Sequence, residues 1–437
     1  MPSVILCSIP LDGHVAPMLG VARGLVAHGY RVRFLTGARF AAAVRATGAE
    51  YLPLPAESDH LDDAAIAAGR ERNGERLTGN AALAANIKRL FLDPAAGQFR
   101  ALVDAVGAEP TDAVLCESVF VGAGALARRP RSERPAVIVC GILPLGLSSR
   151  DTAPFGIGLA PRSDLAGRIR NRTLNWVVEN VVMRSAQKQA DATMRELSGR
   201  PLDGYFQDWS LLADHIAQFT VEEFEYPRSD APAELSFLGP VARVAPIEAV
   251  LPDWWDELDG SRPVVHVSQG TVANLDFEEL VLPTVRGLAG EDVTVVVATG
   301  GRPVSELGGL PSNVLAAEML PYDRLMPLVD VFVSNGGYGG LHYALEYGVP
   351  IVAAGDTEDK VETTARVAWS GAGVNLRTGT PTADAVAGGV LAVLAEPSYR
   401  KAAERLAAAI AVSPGVNGLV PIIERLVAAP AAVDARG

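Results

Sequence analysis

Three cysteines in 437 residues are too few, and an odd number, for a disulfide framework. Cys7, Cys116 and Cys140 each stand in an apolar, strand-like run, which favours buried, reduced thiols and a cytoplasmic setting. No Cys/His pair takes the spacing of a zinc site. Basic residues are outnumbered, 38 Lys and Arg against 51 Asp and Glu, and the net charge of -13 excludes a broad basic field for nucleic acid or anionic membrane. The opening MPSVILCSIP lacks a basic n-region and its apolar run stops at Pro10, so it reads as a buried strand and not a secretory signal. The longest uncharged apolar run, 135–149, is too short for a bilayer and contains Pro144. A soluble, cytoplasmic protein is expected, without stable membrane association. Acidic stretches at 59–63 and 256–260 follow no strand end and read as solvated loops, so no metal site is expected.

What is present is the composition of a globular enzyme, 49% hydrophobic and 20% charged, with a length that suits two domains of roughly 200 residues each. Residues 1–60 alternate short β-branched runs with helical-period segments: SVILCSI, MLGVARGLVAHG, YRVRFLTG, ARFAAAVRATG, AEYLPL. Continuous apolar strands separated by amphipathic helices indicate a parallel sheet covered on both faces. DAVLCE at 112–117 and AVIVC at 136–140 add strands. Polar residues 57–80 read as a loop, and 165–197 as a long helical stretch packed on the first domain. After a Pro- and acid-rich stretch the alternation restarts with PVVHVSQG, DVTVVVATG, NVLAAEML, DVFVSNGG and VPIVAAG. The expected fold is α/β, with two Rossmann-like, doubly wound domains facing across a cleft. Its expected parts are a first domain over 1–235, a linker over 236–262, a second domain over 263–414, and a final helical segment over 415–437.

Ligands of such sheets bind at the carboxyl ends of the strands. Gly336, Gly337, Gly339 and Gly340 lie between the strand DVFVSN and a helix starting near Gly340. Exposed amides at a helix start favour an anion, and glycines let the chain approach it closely. A tight turn needing glycine only for its geometry would look the same. Of the six histidines, His14 alone follows the first strand in a Gly-containing turn, at the carboxyl edge where a base near neutral pH could serve. By spacing alone it reads equally as a structural histidine. His28 reads as a helix-end cap, His266 and His342 as packing or surface residues, and His60 as a loop residue able to meet an acceptor. Ile142, Leu143 and Leu145, in ILPLGL just beyond a strand, fit a lipophilic ligand better than a sugar polymer.

Two segments carry a family resemblance. GHVAP at 13–17 is similar to the N-terminal G-H-x-x-P segment of the inverting family 1 glycosyltransferases of the GT-B fold, and SNGGYGGLHYALEYGVPIVAAGDTEDKVETTARV at 334–367 resembles their donor-binding signature without a gap. The likeness is greatest to bacterial enzymes that glycosylate polyketides and antibiotics. It implies a nucleotide-sugar domain at the C-terminus, an acceptor domain at the N-terminus, and a final helix in 415–437 that crosses back to the first domain. It implies His14 as the base, oriented by Glu117, which on sequence grounds reads equally as a helix-capping acid near Ser118. On the donor side it implies Gly13, Thr271 at the β-phosphate, Leu320 at the base edge, Asn335 with Gly336, Gly337, Gly339 and Gly340 at the diphosphate, and Asp359 with Lys360 at the sugar. The chain departs from the family at Asn335, usually histidine, and at Lys360, usually glutamine; an aromatic that often stacks on the base is replaced by Met319. Glu358 and Glu362 read as solvated charges. Phe120 joins the three residues of ILPLGL and His60 on the acceptor side. The expected activity is metal-independent transfer of a hexose from UDP-glucose, or second from a TDP-deoxysugar, to a hydroxyl of a hydrophobic natural product such as a rifamycin, macrolide or flavonoid, by a monomer or homodimer with no resident cofactor. Two rivals share the fold: a nucleotide-sugar 2-epimerase, and a non-catalytic protein activating a partner transferase.

Overall fold

Short runs rich in Val, Ile and Leu, too brief for helices, form two parallel sheets in the computed structural model, which describes residues 1–59, 71–72, 75–76, 84–241, 250–271, 274–357 and 359–428. The first sheet contains β1 (Ser3–Cys7), β2 (Arg31–Thr36), β3 (Glu50–Pro53), β4 (Ala113–Glu117), β5 (Ala136–Gly141), β6 (His215–Gln218) and β7 (Leu235–Phe237), in the spatial order β3-β2-β1-β4-β5-β6-β7. The second contains β8 (Val264–Ser268), β9 (Thr294–Ala298), β10 (Val314–Ala317), β11 (Val331–Ser334), β12 (Ile351–Ala353) and β13 (Gly373–Asn375), ordered β10-β9-β8-β11-β12-β13. Every strand pair in both sheets is parallel. Three of these strands, β6, β7 and β13, are short and were not legible in the sequence.

Each sheet buries both faces. Ile5 and Cys7 of β1 enter one apolar cluster while Val4 and Leu6 enter the other, as the two-residue side-chain period of a strand requires. Val4, Ile5 and Leu6 are fully buried, a contribution of roughly 1.5–3 kcal/mol for each such side chain. Helix α1 (Asp12–Ala27) covers one face through Val15, Met18, Val21, Ala22 and Leu25, a stripe at helical spacing. The long helical stretch resolves into α2 (Leu165–Val177), a π-helical turn (Val178–Val182) and α3 (Arg184–Ser198). Among the described residues no single helix is long and apolar enough to cross a membrane.

Two crossings knit the lobes. Helix α4 (Leu419–Ala428) sends Leu419, Ile422 and Ile423 into the cluster that holds α1. Val416 occupies the space over Gly24, where a Cβ would come within 2.5 Å, and Asn417 Oδ1 pairs with His28 Nε2 at 2.8 Å. In the other direction, Val221 and Phe224, just beyond β6, pack in the core of the second sheet.

Candidate functional site

In both sheets the strand order reverses direction beside the first strand of the unit, between β1 and β4 and between β8 and β11. Connections there leave to opposite faces, so a crevice opens at the carboxyl edge. The first crevice holds His14 and Glu117. Glu117 is the last residue of β4, and His14 lies in the first turn of α1, which begins soon after β1. Adjacent parallel strands thus bring together two residues 103 positions apart, with His14 Nδ1 2.5 Å from Glu117 Oε2. The other carboxylate oxygen accepts from Ile9 N at 2.8 Å and Ser8 Oγ at 3.1 Å. Glu117 is fully buried and caps no helix; Gln98 Oε1 instead accepts from Gly122 N at the next helix start. The His14 side chain is 14% exposed. A carboxylate on Nδ1 holds the ring in the tautomer that leaves Nε2 as the basic nitrogen. Burial, with the Glu117 charge adding to it, pushes the neighbouring Cys140 thiol well above the ordinary range, and burial does the same for Cys7 and Cys116. These three thiols are packing groups.

The second crevice holds the glycine turn. Gly336 has φ +86°, and a Cβ there would lie 2.6 Å from Thr364 Cγ2, so both backbone conformation and space require glycine. Helix α5 (Tyr338–Glu346) starts at once, with Gly337 as N-cap and no capping side chain. Leu341 N is the first to bond back, to Gly337 O, so the amides of Tyr338, Gly339 and Gly340 precede the helix's own hydrogen bonding. The helix begins at Tyr338, two residues earlier than the glycine spacing suggested. Across the crevice Thr271 follows β8 on an exposed turn made by Gly270 at φ +77°. Asn335 Nδ2 donates to Gln269 O at 2.8 Å, tying the two loops together.

Helix α6 (Lys360–Ser370) bears on the same turn. Thr363 Oγ1 donates to Gly336 O at 2.6 Å, which brings Asp359 and Lys360, both half-buried, to the edge of the glycine turn. Leu320 is buried in the second lobe's core and Met319 beside it is 62% exposed. Glu362 is not the solvated charge the sequence suggested. It is 4% exposed, because its Oε1 accepts from Gly156 N and Gly158 N of the other lobe at 2.8 and 2.9 Å while its Oε2 meets Arg366 at 2.9 Å. Glu358 lies outside the described residues.

The carboxyl edges of the two sheets are brought against each other by residues just past β6 and on α5. Thr220 Oγ1 pairs with His342 Nε2 at 2.7 Å, and Phe224 stacks on Tyr338. His342 is therefore a buried contact between lobes, and His266 a buried one within the second, stacked on Phe332 and bonded to Val296 O and Tyr322 OH. Gly13 is exposed near the start of α1.

The residues expected on the acceptor side divide. His60 lies outside the described residues. Phe120, expected to face the acceptor, is fully buried in the first lobe's core cluster. Ile142 and Leu145 are 6% exposed, while Leu143 is half-buried and its carbonyl accepts from Gln218 Nε2 at 2.6 Å. The apolar run is thus mostly packed, and the exposed apolar surface nearby lies on Ile157, Leu159, Leu165, Ile169, Trp176 and Val181. Ser8, Thr363, Glu225 and Arg366 escaped sequence reasoning, since nothing in their local pattern separates them from ordinary surface residues.

Two doubly wound parallel sheets meeting at their carboxyl edges are the GT-B architecture of glycosyltransferases. The glycotransferase of kitacinnamycin has the same fold, with a TM-score of 0.73 over 98% of this chain and all of that one, at 24% identity. The chain is 42% identical over 428 residues to 4'-demethylrebeccamycin synthase of Lentzea aerocolonigenes, spanning 97% of this chain and 99% of that protein. It is 36% identical to UDP-glycosyltransferase 2 of Phaeomoniella chlamydospora, spanning 98% and 96% respectively. Residues 283–426 match the family described as erythromycin biosynthesis protein CIII-like, C-terminal domain. The chain belongs to the family 1 natural-product glycosyltransferases and is a glycosyltransferase.

Proposed function

We propose that this enzyme transfers a hexose, with inversion, from a nucleoside diphosphate sugar to a hydroxyl of a hydrophobic natural product, with UDP-glucose the first choice of donor and a TDP-deoxysugar the second. The single observation that carries the reading is the His14–Glu117 pair, 2.5 Å apart at a switch point. In the step itself the acceptor oxygen attacks the anomeric carbon as His14 Nε2 takes the hydroxyl proton. The bond from that carbon to the diphosphate breaks, and the nucleoside diphosphate leaves with the electron pair. Glu117 stabilises the imidazolium, a role suited to a fixed carboxylate.

In this reading the first domain, 1–235, holds the acceptor, and the second, 263–414, the donor, with 236–262 between them and 415–437 returning to the first. The amides of Tyr338, Gly339 and Gly340, with Gly337 and Thr271, receive the diphosphate, whose charge the helix start favours. Asp359 accepts from sugar hydroxyls, Lys360 adds a charge at the same edge, and Leu320 presents main-chain groups to the base. The likeness to a UDP-glycosyltransferase and to a 4'-demethylrebeccamycin synthase supports a nucleotide-sugar donor and a natural-product acceptor.

A donor panel read by thermal shift, followed by mass spectrometry with natural-product acceptors, tests this. A donor at 100 times its dissociation constant adds roughly 2.7 kcal/mol of stability. A flat response to UDP-glucose and to every TDP-sugar would remove the proposal, and an epimerised sugar without acceptor would replace it with an epimerase. Turnover is expected to continue in EDTA; its loss, with recovery on Mg²⁺, would overturn the metal-free reading of the diphosphate site.

A further inference from the structure

Helix α6 faces three ways within two turns. Its start, Asp359 and Lys360, borders the glycine turn. Thr363 is hydrogen-bonded to that turn, and Thr364 packs beneath it. Glu362 and Arg366, one helical turn apart, point to the other lobe. Glu362 Oε1 receives the Gly156 and Gly158 amides. Both glycines have positive φ, and a Cβ on Gly158 would meet Val361 Cγ1 at 2.8 Å, so this turn is shaped to press against α6. Arg366, 1% exposed, reaches Glu225 Oε1 at 2.8 Å from Nε and 2.5 Å from Nη2. Glu225 Oε2 in turn accepts from Leu145 N at 2.9 Å, and Arg228 Nη2 donates to Leu145 O at 2.7 Å. Two buried carboxylates and two buried guanidiniums therefore fasten both ends of the 142–158 segment to the helix that carries the sugar end of the donor site. Packing alone would not need ions here, because a buried ion network gives less stability than apolar side chains of equal volume. What fixed, directional bonds add is register between the parts they join.

We propose that Glu362 and Arg366 are positioning residues through which donor binding orders the 142–158 segment of the acceptor lobe. This rests on the placement of the donor at the glycine turn and at Asp359. When the donor fixes the glycine turn, the Thr363 hydrogen bond to Gly336 fixes the start of α6 with it, and the Glu362 carboxylate and Arg366 guanidinium pass that constraint to Gly156, Gly158 and Leu145.

Hydrogen–deuterium exchange of the full chain tests this, with UDP-glucose and TDP as probes. In the wild type, ligand should slow exchange in peptides spanning 334–345 and also in those spanning 142–158, each by about 5-fold or more. Glu362→Ala should keep the first effect and lose the second. Glu362→Gln, which keeps the shape and removes the charge, serves as the second variant should the alanine protein not fold. If Glu362 only held the fold, its replacement would speed exchange at 142–158 with and without ligand and leave the ligand effect intact, which overturns the inference. Protection at 334–345 without any at 142–158 in the wild type also overturns it, leaving the donor reading standing. Protection at neither place with either probe removes the donor reading and this inference with it.

Discussion

Asn335 gives a side-chain amide proton to the carbonyl of Gln269, 2.8 Å away, and so ties together the two loops at the switch point in the second sheet. The sequence suggested an amide free to meet a phosphate; the fold uses a proton of that amide to hold the two loops that would receive one. Asn335→Asp keeps the size, removes the donor and places a negative charge beside the proposed diphosphate. Two like charges near a protein surface repel by about 1–4 kcal/mol at contact distances, so UDP affinity should fall at least about 10-fold. Calorimetric titration with UDP measures this, and unchanged affinity would show that the diphosphate binds elsewhere.

His14→Ala should lower turnover by about 10²–10⁴-fold while leaving the UDP-induced thermal shift intact, because the imidazole acts on the acceptor. Glu117→Gln should retain more activity, with a loss of about 10- to 100-fold as expected for a group that orients another. If His14→Ala changes stability but not turnover, the histidine is structural.

The architecture was readable because the central strands of both sheets are short runs rich in Val, Ile and Leu, punctuated by Gly and Pro. Ser3–Cys7 and Val264–Ser268 are buried at every position, and such runs leave a plain trace. Strands β6, β7 and β13 were missed for a physical reason: His215–Gln218 and Gly373–Asn375 contain polar residues or glycine and owe their form to neighbours already in place. His14 was marked by its place after the first strand and Glu117 only by the family resemblance, and their contact is a product of register. Glu362 was misread because its partners, Gly156, Gly158 and Arg366, are backbone amides of a distant loop and a residue one turn on. No local pattern announces that a charge will be covered by another lobe.

Arg366 and Glu225 are each 1–2% exposed, so removing either partner leaves a buried charge. Contacts with Arg366 and Arg228 outweigh burial and hold the Glu225 carboxyl below its usual range. Arg366→Met and Glu225→Gln should each cost on the order of 3–5 kcal/mol. The double variant should cost less than the sum, and denaturant melts of all four proteins measure the coupling. Additive losses would mean that the two do not work as a pair.

Stability should also fall in mild acid through one buried histidine. Burial holds the His266 imidazole down to about 4, against about 6.5 for the unfolded chain. Between those values the unfolded state takes a proton that the folded state refuses, so the loss begins as pH drops through 6.5 and is complete below 4. It amounts to on the order of 3 kcal/mol. His266→Phe, able to stack on Phe332, should flatten the slope of stability against pH in that window; an unaltered slope would place the effect in other groups.

The pairing of Asn417 with His28 joins positions 389 residues apart, and it has a consequence for biosynthesis. Most of the lobe that carries the proposed base is synthesised well before residues 416–423, which form one wall of its interior. Until then the surface of α1 destined for that wall stays wet, and a chain interrupted shortly before that point would hold both crevices and still lack a finished first lobe. A late frameshift should therefore harm folding more than its distance from either crevice suggests.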